Sequence, residues 1–439
     1  MGEWIYSPDP ALERAVAAIR QKHPSLYPDS LDRTFRLLKK LGNPHLLLPP
    51  VFHVAGTNGK GSTLAFLQAM LEAGGMRVHK FISPHLVRFE ERIVLGGKDM
   101  DSGLLLDMIE EVDRVCGDDE VSFFEFFTAL AFLAFSRDKA DTVLLETGLG
   151  GTFDATNVIE GDIVSIITRI SYDHCRVLGA ALPGIARHKA GIIKQGRPCI
   201  VARQKDESVG GVFEKKAAER GSPLFKDGRD WKTTLNDEGF LYEGADLKFS
   251  LPLPALPGAH QVENAGAAIT ALRHSPFAKV LSRQNLEKAM RDVVWPGRLQ
   301  RLTKGILAAR LPEGWELWVD GAHNDSGAEV LAEHIGKWDS DKPLHIVTAM
   351  KKTKERSDFY PKLLPFAKTV TALDAPSADM MVAAQELCDY LHALGYASAA
   401  TAENLESALA TLAFSSSSPG RILVTGSLYL AGHVLKANG

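Results

Sequence analysis

Cysteine is scarce. Four residues, Cys116, Cys175, Cys199 and Cys388, are scattered through 439 positions with no Cys-x-x-Cys pair. That spacing excludes a zinc ribbon or a disulfide framework and reads as reduced, mostly structural thiols in a cytosolic protein. No apolar run approaches the ~20 residues a membrane helix needs. The N-terminus, Met1-Gly2-Glu3-Trp4-Ile5-Tyr6-Ser7-Pro8, lacks the basic and apolar regions of a secretory leader. Charge of one sign is also missing in excess: 50 Lys+Arg stand against 54 Asp+Glu, a formal net charge of −4, with no basic arm. Nucleic acid and membrane are disfavoured as partners, and a cytoplasmic location is expected. Internal repeats are absent as well. What is left is an ordinary globular composition, long enough for two or more domains, each with its own core.

Against that background residues 51–63 stand out: Val-Phe-His-Val-Ala-Gly-Thr-Asn-Gly-Lys-Gly-Ser-Thr. A short apolar run of strand character leads into Gly56-Thr57-Asn58-Gly59-Lys60-Gly61-Ser62, after which Leu64, Leu67 and Leu71 recur at helical spacing until Gly74. Strand, glycine-rich loop, lysine, hydroxyl and helix make a phosphate cradle. Loop N–H groups and the helix N-terminus face a polyphosphate, Lys60 neutralises its β/γ oxygens, and Ser62 or Thr63 can hold Mg²⁺. The spacing departs from Gly-x-x-x-x-Gly-Lys-Ser/Thr, since two residues separate Gly56 from Gly59 and Gly61 follows the lysine. The chain is expected to bind a nucleoside triphosphate.

Strand-like runs at 52–55, 78–82, 142–146, 163–167 and 198–201 alternate with helical patterns such as 124–135. This predicts an α/β fold whose first domain is a P-loop-type, mainly parallel sheet. Residues 228–250 read instead as an appended antiparallel hairpin. Trp295-Pro296-Gly297-Arg298 is the expected junction, so the domains are 1–296 and 297–439. The latter carries runs at 316–319, 344–349, 370–373 and 422–424, the pattern of a smaller doubly wound, Rossmann-like domain.

Polar residues sit at the ends of these runs, where open α/β sheets bind ligands. Ser83-Pro84-His85, Glu146-Thr147-Gly148 and Asp173-His174 supply a hydroxyl, a carboxylate and an imidazole that could complete Mg²⁺ coordination, although Mg²⁺ prefers oxygen. Lys189-Ala-Gly-Ile-Ile-Lys194 reads by composition as two surface lysines. Asp320-Gly-Ala-His323-Asn324 puts an acid and an imidazole at another strand end, with an Asn-capped helix start as the plainer reading.

Taken together, these phrases resemble the folylpolyglutamate synthetases and bifunctional dihydrofolate synthetases, relatives of the Mur ligases. The match runs from Asp32 to His433 and includes Leu41-Gly-Asn-Pro44, His53-Val-Ala-Gly-Thr-Asn-Gly-Lys-Gly-Ser-Thr63, Ser83-Pro-His-Leu86, Asp154-Ala-Thr-Asn157, Lys189-Ala-Gly-Ile-Ile-Lys194, Pro296-Gly-Arg-Leu299 and Asp320-Gly-Ala-His-Asn324. The resemblance implies an ATP-dependent amide ligase: an acceptor carboxylate is activated as an acyl phosphate and captured by the amine of L-glutamate, with dihydropteroate and reduced folates as acceptors. Positioning and charge neutralisation carry such phosphoryl chemistry.

By the same resemblance Gly56, Thr57, Asn58, Gly59, Lys60, Gly61 and Ser62 cradle ATP, while Asn264, Arg298 and Asp320 contact the nucleotide. ATP would then lie in a cleft between the domains. Ser62, Ser83, Glu146, His174 and a carbamylated Lys189 hold metal, two Mg²⁺ being expected and a monovalent cation counted as a further candidate. Lys60, Lys189 and His323 are the catalytic candidates. Ser122, Phe123, Phe124, Glu125, Phe153, Asp154 and Ala155 match a pterin-site phrase, in which Phe124 offers an aromatic face and Asp154 accepts from the amino edge. The chain departs from the family at His188, at Thr152-Phe153, and at Met350-Lys351-Lys352-Thr353-Lys354, where an acidic phrase is usual.

A bifunctional enzyme acting as a monomer is the reading adopted. A dedicated folylpolyglutamate synthase is the alternative, and another Mur-type amino acid ligase is disfavoured because 55 residues precede Gly56, too few for a UDP-sugar domain.

Overall fold

The structure is a computed structural model that describes residues 5–24, 29–244, 246–339, 341–375, 380–415 and 418–439. The chain forms two compact units. One comprises Ile5–Ala255 and Ala259–Val294, the other Leu256–Gly258 and Trp295–Gly439.

In the first unit an eight-stranded sheet contains β1 (Val51–Ala55), β2 (Val78–Phe81), β3 (Ile93–Leu95), β4 (Lys98–Asp99), β5 (Thr142–Glu146), β6 (Ile163–Ile167), β7 (Cys199–Val201) and β8 (Leu224–Lys226). Its order is β4-β3-β2-β5-β1-β6-β7-β8. All pairs are parallel except those of β3 with β2 and β4. The central strands β1, β5 and β6 are buried at every position, which explains their uninterrupted apolar sequences: helices cover both faces of such a sheet. Because β1 lies between β5 and β6, the loops after all three strands emerge side by side, which positions the site.

Residues 228–250 hold three strands, one more than a hairpin: β9 (Trp231–Asn236), β10 (Gly239–Gly244) and β11 (Lys248–Leu251) form an antiparallel sheet. The third pairs with β10, setting Leu251 against Phe240 and Phe249 against Tyr242.

The second unit contains β12 (Gln300–Leu302), β13 (Glu316–Val319), β14 (Leu344–Thr348), β15 (Ala367–Leu373), β16 (Ala399–Ala402) and β17 (Arg421–Thr425), in the order β12-β13-β17-β14-β15-β16. It is parallel apart from β12, and its core joins Leu331, Ile346, Phe359, Val370, Leu387 and Leu423. This unit takes up the chain at Trp295, two residues before the expected 297. The short edge strands β4, β12 and β16 carry no apolar run that sequence periodicity could register, and β3, between β4 and β2, is only three residues long.

Candidate functional site

After Ala55 the chain turns through Gly56–Gly59 into the helix Lys60–Ala73. Two glycines are dictated by space. A Cβ on Gly56 would sit 1.7 Å from Thr168 Oγ1, and one on Gly59 would sit 2.7 Å from Asn264 Oδ1. Gly59 also caps the helix at φ 89°, a left-handed conformation that glycine adopts without strain. Asn264, buried on the helix Ala259–Arg273, is thereby brought against the loop, with its amide donating to Gln261 Oε1 at 3.0 Å. The loop is pinned from the end of β6: Thr57 N donates to Arg169 O, and Thr57 Oγ1 exchanges hydrogen bonds with the backbone of Ser171.

Lys60 curls back over this loop. Its ammonium donates to the carbonyls of Gly56 (3.3 Å) and Thr57 (3.4 Å) and lies 3.7 Å from Glu146 Oε1 at the end of β5. A helix N-terminus and a half-buried cation thus converge on one point, an arrangement that attracts anions.

Lys189 overturns the surface-lysine reading. It is 5% exposed, near the end of the helix Leu182–Ala190, and its amine donates to Gly56 O at 2.8 Å. Burial, reinforced by the positive charge of Lys60, pulls its pKa down to about 7 despite Asp173 and Asp154. An amine half neutral at pH 7 is nucleophilic. Lys194 is drawn down to about 8, chiefly by burial, and donates to Asn157 O at 2.7 Å.

Ser83 lies partly buried beyond β2, and Glu146 ends β5. His174 is left-handed at φ 53° and half exposed, with Nε2 3.9 Å from Asp173 Oδ1. Among the described residues no three His, Cys, Asp or Glu side chains gather at one point. Ser62 and Ser83 carry hydroxyls and Glu146 a carboxylate, the oxygen donors that Mg²⁺ prefers, whereas His174 offers nitrogen.

The Ser122–Glu125 phrase divides. Ser122 Oγ accepts from Glu125 N and Glu125 Oε2 accepts from Ser122 N, closing a capping box on the helix Phe123–Arg137. Glu125 also accepts from Arg33 and Thr34. These polar atoms are committed to the helix start, as Ser-x-x-Glu ahead of an apolar run announces by itself. Phe123 joins Phe126 and Phe127 in the core. Phe124 is partly exposed, 5.8 Å from Phe81 by ring centroids, with its edge against Gly148. In the following segment Phe153 is 39% exposed while Ala155 is buried.

Asp154 is buried, which raises its pKa against the opposing pull of its donors. Oδ1 accepts from Thr156 N (3.1 Å) and Thr156 Oγ1 (2.5 Å), and Oδ2 from Leu149 N (2.8 Å). A carboxylate has about four lone-pair positions, and besides these three donors the Gly148 backbone N–H also bears on it. Thr152 and His188, both departures from the family phrases, meet: Thr152 N and Oγ1 each donate to His188 O, at 2.8 and 3.0 Å.

In the second unit Asp320 follows β13. Its Oδ2 accepts from Leu299 N and its Oδ1 from Ala322 N, both at 2.7 Å. Burial raises its pKa while Arg298 opposes the rise. Arg298 Nη1 donates to Gly297 O. His323 Nδ1 donates to Gly321 O at 2.8 Å, and Asn324 caps the helix Asp325–Ile335. Sequence reading passed over His53 and Thr156, whose 2.8 Å contact spans 103 residues and left no local signal.

Known proteins resemble this arrangement at full length. A family model described as dihydrofolate synthetase, C-terminal domain, matches residues 308–437. The chain is 32% identical over 432 residues to the dihydrofolate synthase/folylpolyglutamate synthase of Bacillus subtilis, covering 92% of this chain and 94% of that protein. It is 31% identical over 421 residues to the folylpolyglutamate synthase of Lacticaseibacillus casei, covering 92% of each. Escherichia coli FolC solved in complex with DHPP and ADP aligns with a TM-score of 0.86 at 27% identity, over 97% of both chains. The bifunctional folylpolyglutamate synthase/dihydrofolate synthase of Yersinia pestis, complexed with AMPPNP and Mn ion, gives 0.85 at 27%, over 100% of this chain and 99% of that one.

Proposed function

The chain belongs to the dihydrofolate synthase/folylpolyglutamate synthase family, and from that premise we propose how its own residues divide the reaction. It is an ATP-dependent, amide-forming ligase that adds L-glutamate to folates. An acceptor carboxylate oxygen attacks the γ-phosphorus of ATP, the bond to the β-phosphate oxygen breaks, and ADP leaves. The glutamate amine then attacks the acyl-phosphate carbonyl, phosphate departs, and the amide remains.

In our reading Gly56, Thr57, Asn58, Gly59, Gly61 and Ser62 hold the phosphates, and Lys60 neutralises charge developing on the transferred group. Asn264, Arg298 and Asp320 bind the nucleotide, and His323 stands beside the phosphoryl group. ATP and a divalent cation are the cofactors; Ser62, Ser83, Glu146 and His174, with Lys189 as a carbamate, would hold two Mg²⁺ ions. Bound there, the ions supply further neutralisation of phosphoryl oxygens. A monovalent cation and a monomeric state complete the proposal. The single observation that carries it is Lys189: a buried amine held near neutrality, 2.8 Å from a phosphate-loop carbonyl, is poised to add CO₂ and become an anionic oxygen ligand.

The finer part of the proposal is that dihydropteroate is an acceptor as well as reduced folates, with Phe124 and Phe153 flanking the ring and Asp154 accepting from its amino edge. Phosphate release with ATP and glutamate, run in parallel on dihydropteroate and a reduced folate, tests this. Both acceptors are expected to turn over. Extension of reduced folate with no product from dihydropteroate would make the protein a dedicated folylpolyglutamate synthase. Asp154→Ala is expected to cost the dihydropteroate reaction ~1–3 kcal/mol, the range for a buried polar group left unpaired.

A further inference from the structure

His53 lies in the middle of β1, fully buried, three residues before Gly56 of the phosphate loop and paired in register with Leu145 and Ser165. Its Nε2 is 2.8 Å from Thr156 Oγ1, which is 2.5 Å from Asp154 Oδ1. Each oxygen of Asp154 also accepts a backbone N–H, from Thr156 and from Leu149, the pattern of an ionised carboxylate. The direction of every proton follows. A hydroxyl has one proton; Thr156 gives it to Asp154 and must therefore accept from His53, which requires the Nε2–H tautomer. Nδ1 of His53 is buried with no partner among the described residues. In this tautomer the orphan is a lone pair, cheaper to bury than an unsatisfied N–H. Complete burial, and after it the charge of Lys194, disfavours a second proton on His53.

We propose that His53 is a positioning residue for the acceptor ring, acting through Thr156 to fix the orientation of the Asp154 carboxylate that is to meet the acceptor's amino edge. This rests on the pterin role given to Asp154 above. A strand of the ATP-binding sheet thus holds the acceptor site from beneath, so the acceptor is set relative to the phosphate loop by the same strand that carries that loop.

Two pairs of variants test the relay. Glutamine places an N–H near the position of imidazole Nε2 and asparagine does not reach it. Valine keeps the volume of threonine without its hydroxyl. His53→Asn and Thr156→Val are expected to raise KM for dihydropteroate about tenfold, the order for one lost buried hydrogen bond, with KM for ATP and kcat changed less than twofold. His53→Gln and Thr156→Ser are expected to restore it. In ¹⁵N-histidine-labelled protein without substrate, His53 is expected as the neutral Nε2–H tautomer, with that proton's exchange protection lost in Thr156→Val. An Nδ1–H tautomer, equal damage from Gln and Asn, or damage shared equally by ATP overturns the proposal. The tautomer is read without turnover, so a protein that ligated neither acceptor would sink the functional reading while the proton direction is still decided.

Discussion

Replacing Lys189 by methionine removes a charge and little volume, so it separates what the amine costs the fold from what it does in the reaction. An ordinary lysine with a pKa of 10.5 is neutral at pH 7 in roughly one molecule in three thousand; Lys189, held at about 7 by burial and Lys60, is neutral in half. The folded state therefore binds fewer protons than the unfolded chain between pH 7 and 10.5, and stability rises with pH across that window. At pH 7 the penalty amounts to ~4 kcal/mol, appropriate to a side chain only 5% exposed. In CO₂-free buffer without nucleotide, Lys189→Met is expected to unfold at higher urea than wild type at pH 7, by up to that amount. The gap is expected to narrow toward pH 10. The same variant is expected to lose at least ~10²-fold in turnover, as for other lost electrostatic stabilisers, and bicarbonate should raise the activity of the wild type alone. Equal urea midpoints at pH 7 together with parallel pH slopes would refute the burial argument. Full activity in Lys189→Met would refute the carbamate role.

Lys60→Ala takes away the cation that lies over the Gly56 and Thr57 carbonyls and is expected to lower turnover with either acceptor by ~10²-fold or more, measured as ADP release in a variant shown to be folded by circular dichroism. Ser122→Ala removes a helix cap and is expected to cost ~1 kcal/mol of stability with KM for dihydropteroate unchanged; a large KM effect would return Ser122 to the acceptor site. Glu316 is pushed up by burial but pulled lower by Lys342, Trp318, Arg301 and Arg421, to about 2. Its stabilising contribution is present above the unfolded-state value of 4.5 and lost as pH falls toward 2, so Glu316→Gln is expected to cost up to ~3 kcal/mol at pH 7 and little at pH 2, read by denaturation at both pH values.

The local features of this protein are written in its sequence. The runs around Val143 and Val164 announce buried parallel strands because a strand covered on both faces has no polar alternation to hide it. The phosphate loop is legible for a similar reason: Gly56, Gly59, Lys60 and Ser62 act within one turn of chain, and the need for left-handed backbone at Gly59 is a local one. The Ser122–Glu125 capping box is equally local, a Ser-x-x-Glu phrase ahead of an apolar run. Tertiary structure decided what depends on distance in the chain. Whether Lys189 is a solvated surface lysine or a half-neutral amine against Gly56 turns on a contact across 133 residues, and the choice of Phe124 over Phe123 as the exposed ring turns on which neighbours arrive from β2 and the Gly148 loop. His53 could not be separated from an ordinary strand residue until Thr156 was beneath it. A side chain's type is fixed by the sequence, but its protonation and free lone pairs are set by desolvation and by partners that only folding brings within 3 Å.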